Sequence, residues 1–304
     1  MSAAFVVGAE VAAELAGGGA VVALETSVVG QGLPSPRNLE CVERMGAAIR
    51  AAGAVPAWIG VVVGTVTVGL TDAELRRFAG SELATKVARR DLSIAVATGA
   101  LGATTVSATV WAAAKAGIAV AATGGIGGVH PGDHPDVSAD LLELARTPGL
   151  LVCSGPKSII DPVATAEHLE ELGVALVGYG VDRLPFFLAR EAPVELEHRV
   201  DTPQEAAALA RAHAELGVRS TILLCNPIPA GNAMDAEEVA TAAREAEARA
   251  DRDGIGGKAR TPFLLAALAE LTDGRSLEAN LALLESNARV AGEVAVALSA
   301  ARSG

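Results

Sequence analysis

One lysine, one glutamate and a short run of acids and histidines are the residues through which this chain could do covalent chemistry. Lys157 stands in CSGPKSIID, behind an apolar run (Leu150–Cys153) and a Gly-Pro turn. A lysine held in an apolar pocket can lose its proton and attack a carbonyl carbon, giving a Schiff base. The competing reading is a surface lysine paired with Asp161. Glu25 ends the apolar run Ala20–Leu24. A carboxyl partly desolvated at the edge of a sheet suits a general acid or base; an ion-paired or capping glutamate is the alternative. His130, Asp133, His134, Asp136 and Asp140 follow the glycine-rich TGGIGGV at 123–129. In composition they resemble a metal-ligand set, but their spacing is neither a zinc-protease nor an EF-hand pattern, and carboxylate-rich sites suit Mn²⁺ or Mg²⁺ better than Zn²⁺. The glycines leave backbone N–H groups open to an anion, without a Walker A or GxGxxG pattern; a simple turn explains them equally. Lys86, Arg89 and Arg90 add local positive charge. Ser138 reads as an N-cap, which gives Asp140 a plain helix-dipole role. No Ser-His-Asp or Cys-His triad is legible.

Elements must carry these residues to one place. Short apolar runs alternate with amphipathic stretches along all 304 residues. This predicts an α/β fold with a mostly parallel, helix-covered sheet, and one domain over 1–304. A (β/α)8 barrel competes; uneven spacing and a hairpin around Gly64 weigh against it. The spacing predicts helices over 6–16, 38–52, 73–80, 93–99, 106–116, 139–146, 165–172, 205–216, 236–251, 262–271 and 277–299, with Asn38 as the N-cap of the second. It predicts strands over 20–24, 57–63, 65–69, 83–87, 117–123, 150–153, 175–177 and 220–225, with 28–36 a loop and 102–105 a turn. Glu25, Lys86, the glycine run, Lys157 and Asn226 all fall where apolar runs end. In open α/β sheets that is where ligands bind.

Composition narrows the function. A net charge of −12 argues against a general nucleic-acid binder, though not against a small phosphorylated ligand. Three scattered cysteines make no disulfide framework and suit a reducing, cytoplasmic setting. The first residues lack a basic n-region, and no apolar run is long enough to span a membrane.

The segments ALETS, GLPSPRNLE, GAVPAWIGVVVG, KVARRDL, GATTVSAT, ATGGIGGVH, DVSADLLEL, VCSGPKSIID, CNPIP, GKARTPFLL and SLEANLALLESNARVA resemble, in order, the pseudouridine-5′-phosphate glycosidase family. The resemblance implies a homotrimer of three-layer α/β/α subunits with a mixed central sheet, and a Mn²⁺ ion. It implies reversible joining of C1′ of ribose 5-phosphate to C5 of uracil. Glu25 matches the proton donor, Lys157 the nucleophile and Asp136 the metal-binding aspartate. Lys86, Val106, Ser138, Ala139 and Asp140 match substrate-contacting positions, and Asn280 the aglycone end of the site. Three loops depart from the family pattern: Gln31 stands in GQG where SHG is usual, Pro131 where arginine follows GGIGGVH, and Leu184–Leu188 reads LPFFL. The losses suggest a less polar or larger planar acceptor. They favour a C-glycosynthase joining ribose 5-phosphate to an aromatic polyketide, as in the alnumycin branch. Uracil-releasing glycosidase activity and an inactive sugar-phosphate binding protein are the alternatives; the family segments argue against a generic Schiff-base aldolase.

Overall fold

The computed structural model describes residues 4–81, 83–131 and 136–301. Its strands are β1 (Phe5–Val7), β2 (Val21–Glu25), β3 (Val55–Val62), β4 (Thr65–Val68), β5 (Thr85–Val87), β6 (Gly102–Thr104), β7 (Val120–Ala122), β8 (Gly149–Cys153), β9 (Leu176–Tyr179), β10 (His198–Val200) and β11 (Thr221–Cys225). Its helices are α1 (Ala9–Ala16), α2 (Arg37–Ala51), α3 (Asp72–Ala79), α4 (Leu92–Thr98), α5 (Val106–Ala116), α6 (Ala139–Leu144), α7 (Pro162–Glu171), α8 (Pro203–Glu215), α9 (Ala236–Arg252), α10 (Arg260–Leu271) and α11 (Arg275–Ala300).

All these strands join one mixed sheet, ordered β1-β4-β3-β2-β7-β8-β11-β9-β10, with β6 against β3 and β5 outside β6. The run from β2 to β10 is parallel; β3 pairs antiparallel with β4 and β6. The inner strands VVALE and TILLC are buried at every position, as expected for parallel strands covered on both faces. Alternation divides them: Val22 and Leu24 face a core shared with α2, α8 and α11, while Val21 and Ala23 face α1, α5 and α7. The result is the expected α/β/α arrangement, open at both edges and not a barrel.

Four local readings change. The single helix expected over 6–16 is a short edge strand and then α1, because Phe5–Val7 pairs in register with Val66–Val68. The loop expected over 28–36 opens with a π-helical turn, Val28–Gly32. Gly102–Thr104 is a strand, and β10 has no counterpart in the sequence reading; three-residue strands carry too few alternations to show a period. Asn38 does not cap α2. It lies inside the helix, buried, donating to the Val29 and Ala79 carbonyls at 3.1 Å each.

Candidate active site

A cleft of about 970 Å³ opens at the carboxyl ends of β2, β7 and β8 and is roofed by α10. Glu25, Lys86, Val106, Asp136, Ser138, Ala139, Asp140, Lys157 and Asn280 all line it. Residues scattered over the chain meet because β2, β7, β8 and β11 are neighbours in the sheet, so their ends form one edge.

Glu25 is 6 % exposed. Both carboxyl oxygens are held: Oε1 accepts from the Thr123 hydroxyl, past the end of β7, and Oε2 from the Ser27 hydroxyl. Two donors on different strand ends fix the rotamer and aim the group into the cleft. Behind it, the Ile59 carbonyl accepts from Thr26 (2.7 Å) and Thr104 (2.6 Å), and the Thr104 N–H donates to Thr26 Oγ1 at 2.9 Å. This buried knot ties the end of β2 to β3 and β6.

Lys157 follows β8 by a turn through Gly155, whose φ is +74°. A Cβ on Gly155 would lie 1.9 Å from the Pro185 carbonyl oxygen. Glycine is therefore required both for the backbone region and for the close approach. The Lys157 N–H donates to the Ile126 carbonyl, and the Ile126 N–H to that of Gly155, each at 3.1 Å, which locks the lysine loop to the glycine loop. Asp161 does not pair with Lys157; its carboxylate caps α7 through the Val163 and Ala164 N–H groups at 3.0 Å.

The glycine run is a packed corner. The Gly127 N–H donates to Asp140 at 3.1 Å and the Val129 N–H to Thr165 Oγ1 at 3.0 Å. A Cβ on Gly127 would sit 2.4 Å from Ser138 Oγ. Asp140 also accepts from the Ser107 N–H at 2.9 Å, so both its oxygens are engaged by backbone. It positions the start of α5 and the glycine loop around the cleft. Ser138 caps α6 as expected, accepting from the Asp140 N–H at 3.2 Å.

Asp133 and His134 lie outside the described residues. His130 turns away from Asp136: its Nδ1 lies 3.6 Å from Glu247 on α9, while only its backbone N–H meets the Asp136 carbonyl, at 2.9 Å. Among the described residues no three His, Cys, Asp or Glu side chains gather as a metal cage. Among the described residues of that run, the donor that remains, Asp136, is a single hard carboxylate lining the cleft. That fits an oxygen-preferring ion completed mainly by water, and not a closed thiolate or imidazole site.

Sequence reasoning missed several cleft-forming residues. Asn287 on α11 is fully buried. Its Nδ2 lies 2.8 Å from the Thr123 carbonyl, 3.2 Å from that of Gly124 and 3.1 Å from Ser154 Oγ. Its Oδ1 accepts from Asn226 at 2.9 Å. It therefore clamps the ends of β7, β8 and β11. The signal was available: Asn280 and Asn287 are two helical turns apart within an otherwise apolar stripe. Glu143, 4 % exposed, pairs with Arg89 at 2.7 Å and accepts from Thr147, bracing the cationic wall of the cleft. Of the three departing loops, Gln31 and Phe187 reach the cleft, whereas Leu184 and Leu188 are buried in the two cores. Gln31 donates from Nε2 to the Ala84 carbonyl at 2.7 Å.

Comparison with known proteins places these features in a family. Residues 10–297 match the indigoidine synthase A like protein family. The chain is 50% identical over 281 residues to a pseudouridine-5′-phosphate glycosidase of Gemmatimonas aurantiaca, covering 92% of each chain. It is 50% identical over 291 residues to that of Myxococcus xanthus, covering 95% of this chain and 96% of the relative. Among solved structures, the prealnumycin C-glycosynthase AlnA in complex with ribulose 5-phosphate superposes with a TM-score of 0.91 at 42% identity, covering 100% of this chain and 99% of that one. An indigoidine synthase A-like protein from Thermotoga maritima gives 0.89 at 38% identity, covering 97% and 96%. The chain belongs to the indigoidine synthase A-like, pseudouridine-5′-phosphate glycosidase family.

Proposed function

We propose that this protein is a pseudouridine-5′-phosphate glycosidase, using Glu25 and Lys157 to break the C–C bond between ribose 5-phosphate and uracil. The observation that carries the reading is the meeting of Glu25 and Lys157 on one cleft in a chain half identical, over nearly its whole length, to proteins of that name. The synthase preference drawn from the three departing loops gives way to this identity, and part of one of the three is core packing: Leu184 and Leu188 are buried in the two cores and do not line the cleft.

The residue types follow from the bond. A carbon aglycone cannot leave as an alkoxide. The Lys157 amine attacks C1′ while Glu25 delivers a proton to the ring oxygen, so the C1′–O bond breaks and the sugar opens. The new ammonium gives a proton to the Glu25 carboxylate, which passes it to the uracil C5; the C1′–C5 bond then breaks, its electrons restoring the uracil double bond as the freed nitrogen lone pair forms the iminium. Water hydrolyses the iminium and returns the amine. Only an amine supplies that lone pair, so serine or cysteine would not substitute. Thr123 and Ser27 keep Glu25 in one orientation, and Lys86, Ser138 and Val106 bound the sugar-phosphate end. Held geometry of this kind is a large share of catalysis. Asn280, buried with its Oδ1 lacking a partner among the described residues, is assigned to the aglycone. Asp136 would hold a Mn²⁺ ion, whose chemistry when bound is to neutralise and orient anionic oxygens.

The test is to incubate the protein with pseudouridine 5′-phosphate and Mn²⁺ and measure uracil and ribose 5-phosphate. Stoichiometric release of both supports the assignment; folded, metal-supplied protein that releases neither overturns it. A second reading, C-glycosynthase activity on a planar acceptor, is favoured by Gln31 and Phe187 on the cleft wall and by the likeness to AlnA. It predicts carbon–carbon coupling of ribose 5-phosphate to aromatic acceptors with negligible uracil release.

A further inference from the structure

A second concavity, of about 780 Å³, lies beside the cleft and is lined by Arg89, Lys115, Arg146, Arg219 and Trp111. Arg89 and Arg146 line the cleft as well, so the two adjoin across these side chains. Among the described residues no carboxylate lines the groove. Arg146 and Arg219 form no ion pair among the described residues. Lys115 is posted in place by two rings: its Nζ lies 5.3 Å from the centroids of both Phe5 and Trp111, which pack edge to face. Four cationic side chains thus converge, Arg89 already paired with Glu143, on a protein whose net charge is −12. A dianionic phosphate ester approaching such a protein meets repulsion elsewhere, and a local positive field beside the site raises its concentration at the mouth.

We propose that this groove is an anion-capture site that takes the phosphate of the incoming substrate and passes it along Arg146 and Arg89 into the cleft. The choice of a phosphomonoester rests on the function proposed above; the anion site itself does not. Lys115 and Arg219 lie outside the cleft, so they act on capture and not on bond breaking.

The experiment has two arms. In the first, kcat and KM for pseudouridine 5′-phosphate are measured at low and high salt for the wild type and for Lys115→Glu/Arg219→Glu. The wild type loses kcat/KM with salt. The variant is about tenfold lower at low salt, is nearly salt-independent, and keeps its kcat. Parallel salt profiles in the two proteins overturn the proposal. In the second arm, inorganic phosphate is titrated while tryptophan fluorescence is followed. Of the two tryptophans, Trp58 is buried, 4 % exposed, so Trp111 reports the groove. A saturable change in the wild type that is abolished in the variant supports the site; no change in the wild type overturns it. Phosphate binding without turnover would leave the groove standing and defeat the glycosidase assignment, and turnover without either groove signal would do the reverse. Lys115→Gln/Arg219→Gln, checked by its melting temperature, covers the case in which charge reversal impairs folding.

Discussion

Asn287→Leu tests whether the cleft is assembled by the clamp on α11. Leucine matches the side chain in size but has no polar atom. The change leaves the Thr123 carbonyl and the Ser154 hydroxyl, both buried, without their partner. A buried group so orphaned costs about 1–3 kcal/mol, so two cost roughly 4 kcal/mol, a large part of the ~5–15 kcal/mol that holds a domain folded. With an unfolding entropy of ~2.1 cal/mol/K per residue, 304 residues give about 0.64 kcal/mol/K, and the melting temperature should fall by ~6 °C. Activity should fall further than stability explains, because Thr123 also holds Glu25. Thermal melts followed by circular dichroism, with turnover measured well below the melt, check both. A variant melting within about 1 °C of the wild type with full turnover would refute the view that Asn287 organises the strand ends.

Other perturbations reach the same framework. Glu25→Gln keeps an oxygen and a similar shape for Thr123 and Ser27 to bond, so the melting temperature should hold while kcat drops by about 10²–10⁴. Gly155→Ala places a Cβ 1.9 Å from the Pro185 carbonyl at φ +74°; it should cost at least about 2 kcal/mol and displace Lys157, seen as lower stability together with lost turnover. Burial pushes the Cys41 thiol well up, and the neighbouring Cys153 together with burial pushes Cys225 up. Their folded values lie above the unfolded ones, so the stability they contribute is fully present below the ordinary thiol pKa of about 8.5 and is lost as pH rises past it. Denaturant midpoints should decline above that pH, and a thiol reagent near pH 8 should label Cys41 and Cys225 only after unfolding.

The inner strands and long helices are legible in the sequence because each carries several repeats of its period, and burial on both faces leaves runs such as STILLC with no polar interruption. β1, β6 and β10 are not: a three-residue strand owes its state to the partner it meets, as Phe5–Val7 does to Val66–Val68. The site divides in the same way. Glu25 and Lys157 stand out because a charged residue closes an apolar run. Glu143 escapes because a polar residue in a short helix looks solvent-facing until Arg89 and Thr147 are in place, and Asn287, although it stands in an apolar stripe, has no visible partner until the strand ends meet it. Asp140 is recognisable as important from its position before α6 is built, but its role is not: only the fold shows its two oxygens taken by the Ser107 and Gly127 N–H groups.

The covalent role of Lys157 is tested most directly by trapping. The protein is incubated with ribose 5-phosphate, reduced with borohydride, digested and examined by mass spectrometry. A lysine iminium predicts one reduced ribose 5-phosphate on the peptide containing Lys157, absent without sugar and absent in Lys157→Ala. Wild-type protein that is folded, supplied with Mn²⁺ and turning over substrate, yet yields no adduct on Lys157, would contradict it.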